Sequence, residues 1–105
     1  MNKDINKTLQ ALVPILNMNY EMVETIEAVK DMYEHDGKSY CKEVAEITYK
    51  NGYQMYADIG GDSNLTAIYD VMAVIQGFKK PSTSVGYIQR GLYENPCKDC
   101  PLNRL

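Results

Sequence analysis

The sharpest chemical signal in the sequence is NPCKDCP, which places Cys97 and Cys100 with two residues between them. This spacing allows two thiolates to hold one metal ion. Structural zinc takes four ligands, and the chain offers only Cys41 and His35 to complete the set. The sequence therefore predicts a zinc site of three cysteines and one histidine as one option. Two plain thiols, or a local disulfide, are the alternatives.

His35 is the only histidine, and a general base needs a nucleophile or an acid partner held close to it. The sequence identifies no such partner, no Ser/His/Asp order and no cofactor fingerprint. We therefore expect a non-enzymatic protein with no cofactor other than the zinc option. The segment 60–63, GGDS, precedes a predicted helix, but Asp62 would place negative charge where an anion should bind. A tight turn and a helix N-cap explain it better.

Charge and composition exclude several classes of protein. Eleven basic and fourteen acidic residues give a net charge of -3, which makes nucleic acid an unlikely partner because that function normally needs a basic stripe. The first residues lack the pattern of a signal peptide, and no stretch is long and apolar enough to span a bilayer. With three cysteines, an odd number, these features predict a cytoplasmic protein without membrane association.

The N-terminal part of the chain is predicted to be helical. Leu9, Leu12, Val13 and Leu16 share one face of a helix over about residues 4–16. A proline disfavours helix at the residue before it, so one kinked helix and two successive helices both remain open.

A second helix is predicted to follow and to end at Gly37. Apolar residues recur along one side of it at helical spacing: Ile15, Met18, Met22, Ile26, Val29 and Tyr33. The opposite side is acidic, and a partner with a basic surface could dock there, as for an acidic phage-type inhibitor of a nucleic-acid enzyme. The carboxylates of this predicted partner-binding face are Glu21, Glu24, Glu27, Asp31 and Glu34.

The sequence YKNGY at residues 49–53 predicts the tip of a β-hairpin that covers about residues 43–59. Asn-Gly between alternating apolar residues is a strong hairpin signal. A two-residue loop would put the apolar residues of the two strands on opposite faces. A three-residue loop, Lys50-Asn51-Gly52, pairs Tyr49 with Tyr53 and brings the apolar residues to one face, so we expect that register.

A further helix is predicted over about residues 63–76, with Asp62 or Ser63 as its N-cap and Gly77 at its end. This helix is apolar nearly all round, so it must be covered on more than one side. Either the other elements of the chain cover it, or a second subunit does.

Residues 83–93 fit a short helix or a strand equally well, because two glycines weaken both interpretations. A two-stranded sheet is marginal alone, so a third strand from this segment, or one from a partner, would make physical sense. Residues 94–105 are expected to form a flexible or metal-anchored tail.

Together these elements predict a single α+β domain over residues 1–105. Two N-terminal helices and the helix at about 63–76 would pack on one face of the hairpin. The stretch from Tyr49 to Ile75, YKNGYQMYADIGGDSNLTAIYDVMAVI, resembles small bacterial and mobile-element proteins, a resemblance that implies no activity. We expect an interaction or regulatory protein that forms a homodimer. A small zinc-binding protein and the acidic inhibitor are the alternatives.

Overall fold

The structure is a computed structural model that describes residues 5–18, 22–61, 63–83 and 86–90. Its strands form one antiparallel sheet in the order β3-β2-β1-β4, and both helices pack on the same face of it. The predicted α+β class is confirmed, although the helices and strands differ in detail. The elements are α1 (Ile5–Asn17), β1 (Val23–His35), β2 (Lys38–Tyr49), β3 (Gln54–Asp58), α2 (Asn64–Gln76) and β4 (Tyr87–Gln89).

The second predicted helix is wrong, because that segment forms the long strand β1. The reason lies at its end, where Asp36 and Gly37 both have positive φ angles, 52° and 76°. His35 pairs with Lys38 across these two residues, so they form the two-residue turn whose twist suits a hairpin. Asp-Gly is the same kind of hairpin signal as Asn-Gly, and Gly37 turns the chain into β2 instead of ending a helix.

The apolar stripe that suggested this helix is not a buried face. Ile15, Met18 and Met22 are 56, 81 and 52% exposed. Ile26 and Val29 are both fully buried, but on opposite faces of the sheet, because residues three apart on a strand point to opposite sides. The apolar residues recur at helical spacing only by coincidence, because this part of β1 is buried on both faces of the sheet.

The predicted hairpin is present as β2 and β3. Ala45 pairs with Ala57 and Ile47 with Met55, the register that a three-residue loop requires. Gly52, with a φ of 90°, occupies the left-handed position in this loop. The tip is closed by backbone hydrogen bonds, in which the Tyr49 amide donates to Tyr53 at 2.8 Å and the Gly52 amide donates back to Tyr49 at 2.9 Å.

A row of three alanines forms part of the sheet surface, or floor, on which the helices pack. Ala28, Ala45 and Ala57 are cross-strand neighbours on β1, β2 and β3, and all three are fully buried. Small side chains at these positions let helices come close to the sheet. α1 covers this floor with four buried residues, Ile5, Leu9, Leu12 and Leu16.

β4 pairs with only part of one edge of β1, and α1 forms hydrogen bonds with another part of β1. The Asn6 side-chain oxygen accepts a hydrogen bond from the Ala28 amide at 2.7 Å, and the Gln10 side-chain amide donates to the Ile26 carbonyl at 2.9 Å. Asn17 bonds both backbone polar groups of the first residue of β1. α1 is one helix that continues through its proline, which decides between the two options that the sequence left open.

α2 agrees with its prediction at both ends. Ser63 is its N-cap and accepts a hydrogen bond from the Thr66 amide, while Gly77 ends the helix in the left-handed conformation. The amide of the following Phe78 donates to the Ala73 carbonyl at 2.8 Å, which closes the last turn.

Within the segment 83–93, the described residues Tyr87–Gln89 form a strand, β4, which pairs with β1. The sheet therefore has four strands and does not need one from a partner to be stable. This removes one of the two reasons for expecting a second subunit. The predicted tail, 94–105, lies outside the described residues. Neither described helix has the length and apolar character needed to cross a membrane.

Candidate functional site

His35 and Cys41, two members of the predicted zinc site, lie on opposite faces of the sheet. His35 pairs with Lys38 at the hairpin tip, whereas Cys41 pairs with Met32, and the odd and even positions of a strand alternate between its faces. The exposed His35 ring lies beside Asp36, with 3.3 Å between its Nε2 and the carboxylate Oδ2. The sequence spacing suggested that the His35 and Cys41 side chains converge, but the extended strands hold them on opposite faces of the sheet.

Cys41 is 4% exposed and is disulfide-bonded. A sulfur in a disulfide is not the thiolate that zinc binds, so a metal site that uses Cys41 would require the reduced protein. The described residues contain no group of three side chains able to hold a metal ion. Cys97 and Cys100 lie outside the described residues, so the zinc site stays a prediction.

The predicted acidic face does not lie on a helix, because its described residues lie along the strand β1, where Glu27 and Asp31 share one face of the sheet. Asp31 is fully buried, and Glu34 lies on the opposite face of the sheet from it. Glu24 and Glu27 lie in the same strand nearer its start, and Glu21 lies outside the described residues. Binding of a basic partner by these carboxylates stays a prediction.

The face of the sheet opposite the helices carries buried ionic groups, and we call it the polar face. At its centre the buried Glu46 carboxylate accepts hydrogen bonds from the Arg90 guanidinium and, at 2.9 Å, from the Tyr56 hydroxyl. Arg90 follows β4, so this pair ties β4 to β2 across β1.

These contacts shift the affinity of the groups for protons. Burial, followed by the hydrogen bond and the charge of Glu46, raises the pKa of Tyr56 above its usual value. The hydrogen bond with Glu46 raises the pKa of Arg90, which favours the charged guanidinium.

The connection from α2 to β4 is also fixed on the polar face. Lys42 bonds the Ser82 hydroxyl at 3.0 Å and pairs with Asp58 at 3.0 Å. The Gly86 amide donates to the Asp31 Oδ1 at 2.6 Å, while Oδ2 of the same buried carboxylate has no hydrogen-bond partner among the described residues. The ionic groups of this face therefore anchor chain segments to the sheet.

A cleft of about 650 Å³ lies at the hairpin tip, between the aromatic side chains of β1 and β2 and the start of β4. The rings of Tyr33 and Tyr40 stack at 5.6 Å, and His35 lies 6.4 Å from Tyr40. Such a wall offers a stacking surface. None of the described polar residues that line it is buried, so among them no buried polar group would orient a ligand.

An exposed apolar surface lies on α2. Leu65 is 78% exposed and Tyr69 is 62% exposed, on the side of the helix that faces away from the sheet. Partly buried apolar residues that also pack against the main core adjoin them. We call it the outer face of α2, and it consists of Leu65, Ile68, Tyr69, Met72 and Ile75.

The only charged residue of α2, Asp70, points away from that surface. Its buried carboxylate accepts hydrogen bonds from the Gly60 amide at 2.8 Å and from Lys79 at 2.6 Å. The hydrogen bond to Asp70 raises the pKa of Lys79. The Lys79 ammonium also lies 4.8 Å from the centre of the Tyr69 ring, at the border of the outer face.

The sequence indicated the apolar character of α2 but not the ionic groups of the polar face. A single Asp70 within an apolar helix was a signal for a buried, paired carboxylate. Glu46 and Arg90 gave no such signal, because their pairing depends on β4 lying beside β1. The comparisons add no relative: no family model, curated protein or solved structure matches this chain.

Proposed function

We propose that this chain is a non-enzymatic interaction protein that forms a homodimer through the outer face of α2. The observation that carries the proposal is the exposure of Leu65 and Tyr69 on one side of a regular helix. Exposed apolar surfaces of this kind mark sites of protein association more often than isolated apolar residues do.

A second copy of the chain is the occupant that this surface fits. The outer face carries no charged side chain, since Asp70 is buried on the other side of α2. A two-fold axis through the outer face would therefore bring two apolar surfaces together without opposing like charges. Lys79 and Tyr69 would lie near the rim, where the polar atoms can stay hydrated.

The size of the surface sets the strength of the dimer. A thirteen-residue helix is about 20 Å long at about 1.5 Å per residue, and one face of it falls short of the roughly 800 Å² per partner of a typical stable interface. We therefore expect a dimer that dissociates in the micromolar range.

Sedimentation equilibrium over a wide concentration range tests the proposal. Wild type should change from monomer to dimer, and Leu65→Glu should weaken dimerisation by at least about tenfold because it places a charge in the interface. Ile15→Glu is the matched control, since Ile15 is an exposed apolar residue on the other helix and the change should leave the dimer intact. A wild-type protein that stays monomeric, or equal effects of the two substitutions, would contradict the proposed interface.

A further inference from the structure

Lys79 lies at the border of the outer face of α2 and is anchored at both ends. Its backbone amide donates to the Ala73 carbonyl at 3.1 Å, and its ammonium donates to the Asp70 Oδ1 at 2.6 Å. A free lysine side chain populates many rotamers, but these two contacts restrict this one to a narrow range. The positive charge therefore has a defined position beside α2.

The Asp70 carboxylate that holds this charge is itself fixed. Its side chain is 3% exposed, and its Oδ2 accepts a hydrogen bond from the Gly60 amide at 2.8 Å. One oxygen is thus bonded to the segment before α2 and the other to the segment after it. Because a buried carboxylate loses a hydrogen bond when it turns, Asp70 is a rigid anchor for Lys79.

The Tyr69 ring is the group on the outer face that this charge contacts. The Lys79 ammonium lies 4.8 Å from the ring centre, within the range of a cation–π interaction. Tyr69 is 62% exposed, and an exposed aromatic side chain on a helix otherwise exchanges rapidly between χ1 rotamers. A fixed cation beside the ring favours the one rotamer that keeps this contact.

We propose that Lys79 is a positioning residue, which holds Tyr69 in the orientation that the dimer requires. This inference rests on the proposed dimer through the outer face and identifies the residue that prepares that face for the second copy. Side chains that become fixed on association oppose binding through lost conformational entropy. Because Lys79 restricts Tyr69 before the chains meet, less entropy is lost when they do. A two-fold dimer contains this contact twice, so a substitution of Lys79 acts twice on the dissociation constant.

Lys79→Gln removes the cation but keeps a hydrogen-bond donor for Asp70. In sedimentation equilibrium it should raise the dissociation constant of the dimer about tenfold, which is about threefold for each copy of the contact. Lys79→Arg keeps the charge, and its dissociation constant should stay within about threefold of wild type.

Lys80→Gln is the matched control, because it removes the same charge from the adjacent exposed lysine. It should change the dissociation constant less than about twofold. Equal effects of Lys79→Gln and Lys80→Gln, or a Lys79→Arg dimer as weak as the Lys79→Gln dimer, would overturn the proposal.

A double-mutant cycle shows whether Lys79 acts through Tyr69. Tyr69→Leu keeps an apolar side chain but has no aromatic ring for the cation. In this background Lys79→Gln should change the dissociation constant less than about twofold. The same factor in both backgrounds would mean that Lys79 acts through the stability of the fold or through its charge alone, and the positioning role would then be wrong.

A variant without either charge controls for the loss of the counter-ion of Asp70. Asp70→Asn combined with Lys79→Gln leaves no buried carboxylate at this position and keeps an acceptor for the Gly60 amide. This double variant should dimerise as weakly as Lys79→Gln alone. Dimerisation at the wild-type level would show that an unpaired Asp70, and not a released Tyr69, weakens the dimer of Lys79→Gln.

NMR measures the contact itself without reference to dimer formation. In the wild-type chain the Tyr69 ring should shift the signals of the Lys79 ε-methylene protons upfield, and Tyr69→Leu should remove this shift. A missing shift overturns the positioning role even when the dimer forms. A wild-type chain that shows the shift and yet stays monomeric contradicts the proposed dimer, and with it the role of Lys79 in forming it.

Discussion

At the scale of single residues, the buried carboxylates of this protein act as anchors. Glu46 holds Arg90 and Tyr56, and Asp70 holds Lys79 and the Gly60 amide. In the first pair the two charges differ in their surroundings, because the Arg90 side chain is 52% exposed and that of Glu46 only 6% exposed. If Glu46 is lost, the exposed Arg90 can still be hydrated, but if Arg90 is lost, the Glu46 charge stays buried.

The two substitutions that break this pair should therefore have unequal effects. Arg90→Ala leaves a buried carboxylate with only the Tyr56 hydroxyl, and we expect a loss of about 2 to 3 kcal/mol in the free energy of unfolding. Glu46→Gln leaves Arg90 free to be hydrated and keeps an acceptor for Tyr56, so about 1 kcal/mol should be lost. Urea denaturation of both variants measures this, and an equal or reversed order would show that Glu46 does not depend on Arg90.

At the scale of elements, α1 protects the exposed edge of the sheet. Unpaired strand edges promote association with other chains, and native proteins often cover them. Here the cover consists of side-chain amides on one side of α1, with Asn6 and Gln10 one helical turn apart, so each reaches a backbone group of β1.

Removal of one amide should expose one identifiable backbone group. Asn6→Ala leaves the Ala28 amide without its acceptor, and we expect this amide to exchange with solvent faster and the protein to lose about 1 kcal/mol of stability. Lys7→Ala, on the exposed side of the same helix, is the control and should change neither. Hydrogen exchange followed by NMR measures the effect, and unchanged exchange at Ala28 would mean that water or backbone movement replaces the amide.

The elements also show which parts of the fold the sequence could predict. The β2–β3 hairpin and α2 depend on local signals, Asn51-Gly52 and the cap at Ser63, and both were predicted with their register and ends. β1 was not predicted, because its carboxylates happen to recur at helical spacing and the turn at Asp36-Gly37 resembles a helix end. Burial on the polar face could not be predicted either, since it depends on β4 pairing with β1.

At the scale of the whole molecule, the long hairpin of β1 and β2 sets its length. A thirteen-residue strand spans about 43 Å at about 3.3 Å per residue, close to the longest dimension of 42 Å. The main core includes Ile26 and Ile47 near one end of this hairpin, while Met32 and Cys41 form a separate cluster toward the other. The two ends should therefore differ in local stability.

Reduction of the Cys41 disulfide should reveal this difference. With reductant, amides around Met32 and Cys41 should exchange about tenfold faster, which corresponds to about 1.4 kcal/mol, while those around Ile26 and Ile47 should change little. Cys41→Ser should exchange at the fast rate with or without reductant. Uniform acceleration along the whole hairpin would instead mean that β1 and β2 open as one cooperative unit.

The two hairpin tips share one further property. Both turn at an Asx-Gly pair, Asp36-Gly37 and Asn51-Gly52, in which the glycine nitrogen can attack the preceding side-chain carbonyl to form a cyclic imide. At the second tip the Asn51 side-chain oxygen accepts a hydrogen bond from the Tyr53 amide at 3.0 Å. The ring closes with loss of ammonia from Asn51 or of water from Asp36, and water then opens it to aspartate or isoaspartate. Either product adds a negative charge at Asn51, and isoaspartate adds an extra carbon to the main chain at either tip. The residues that set the strand register are therefore also the sites at which we expect stored protein to be chemically modified first.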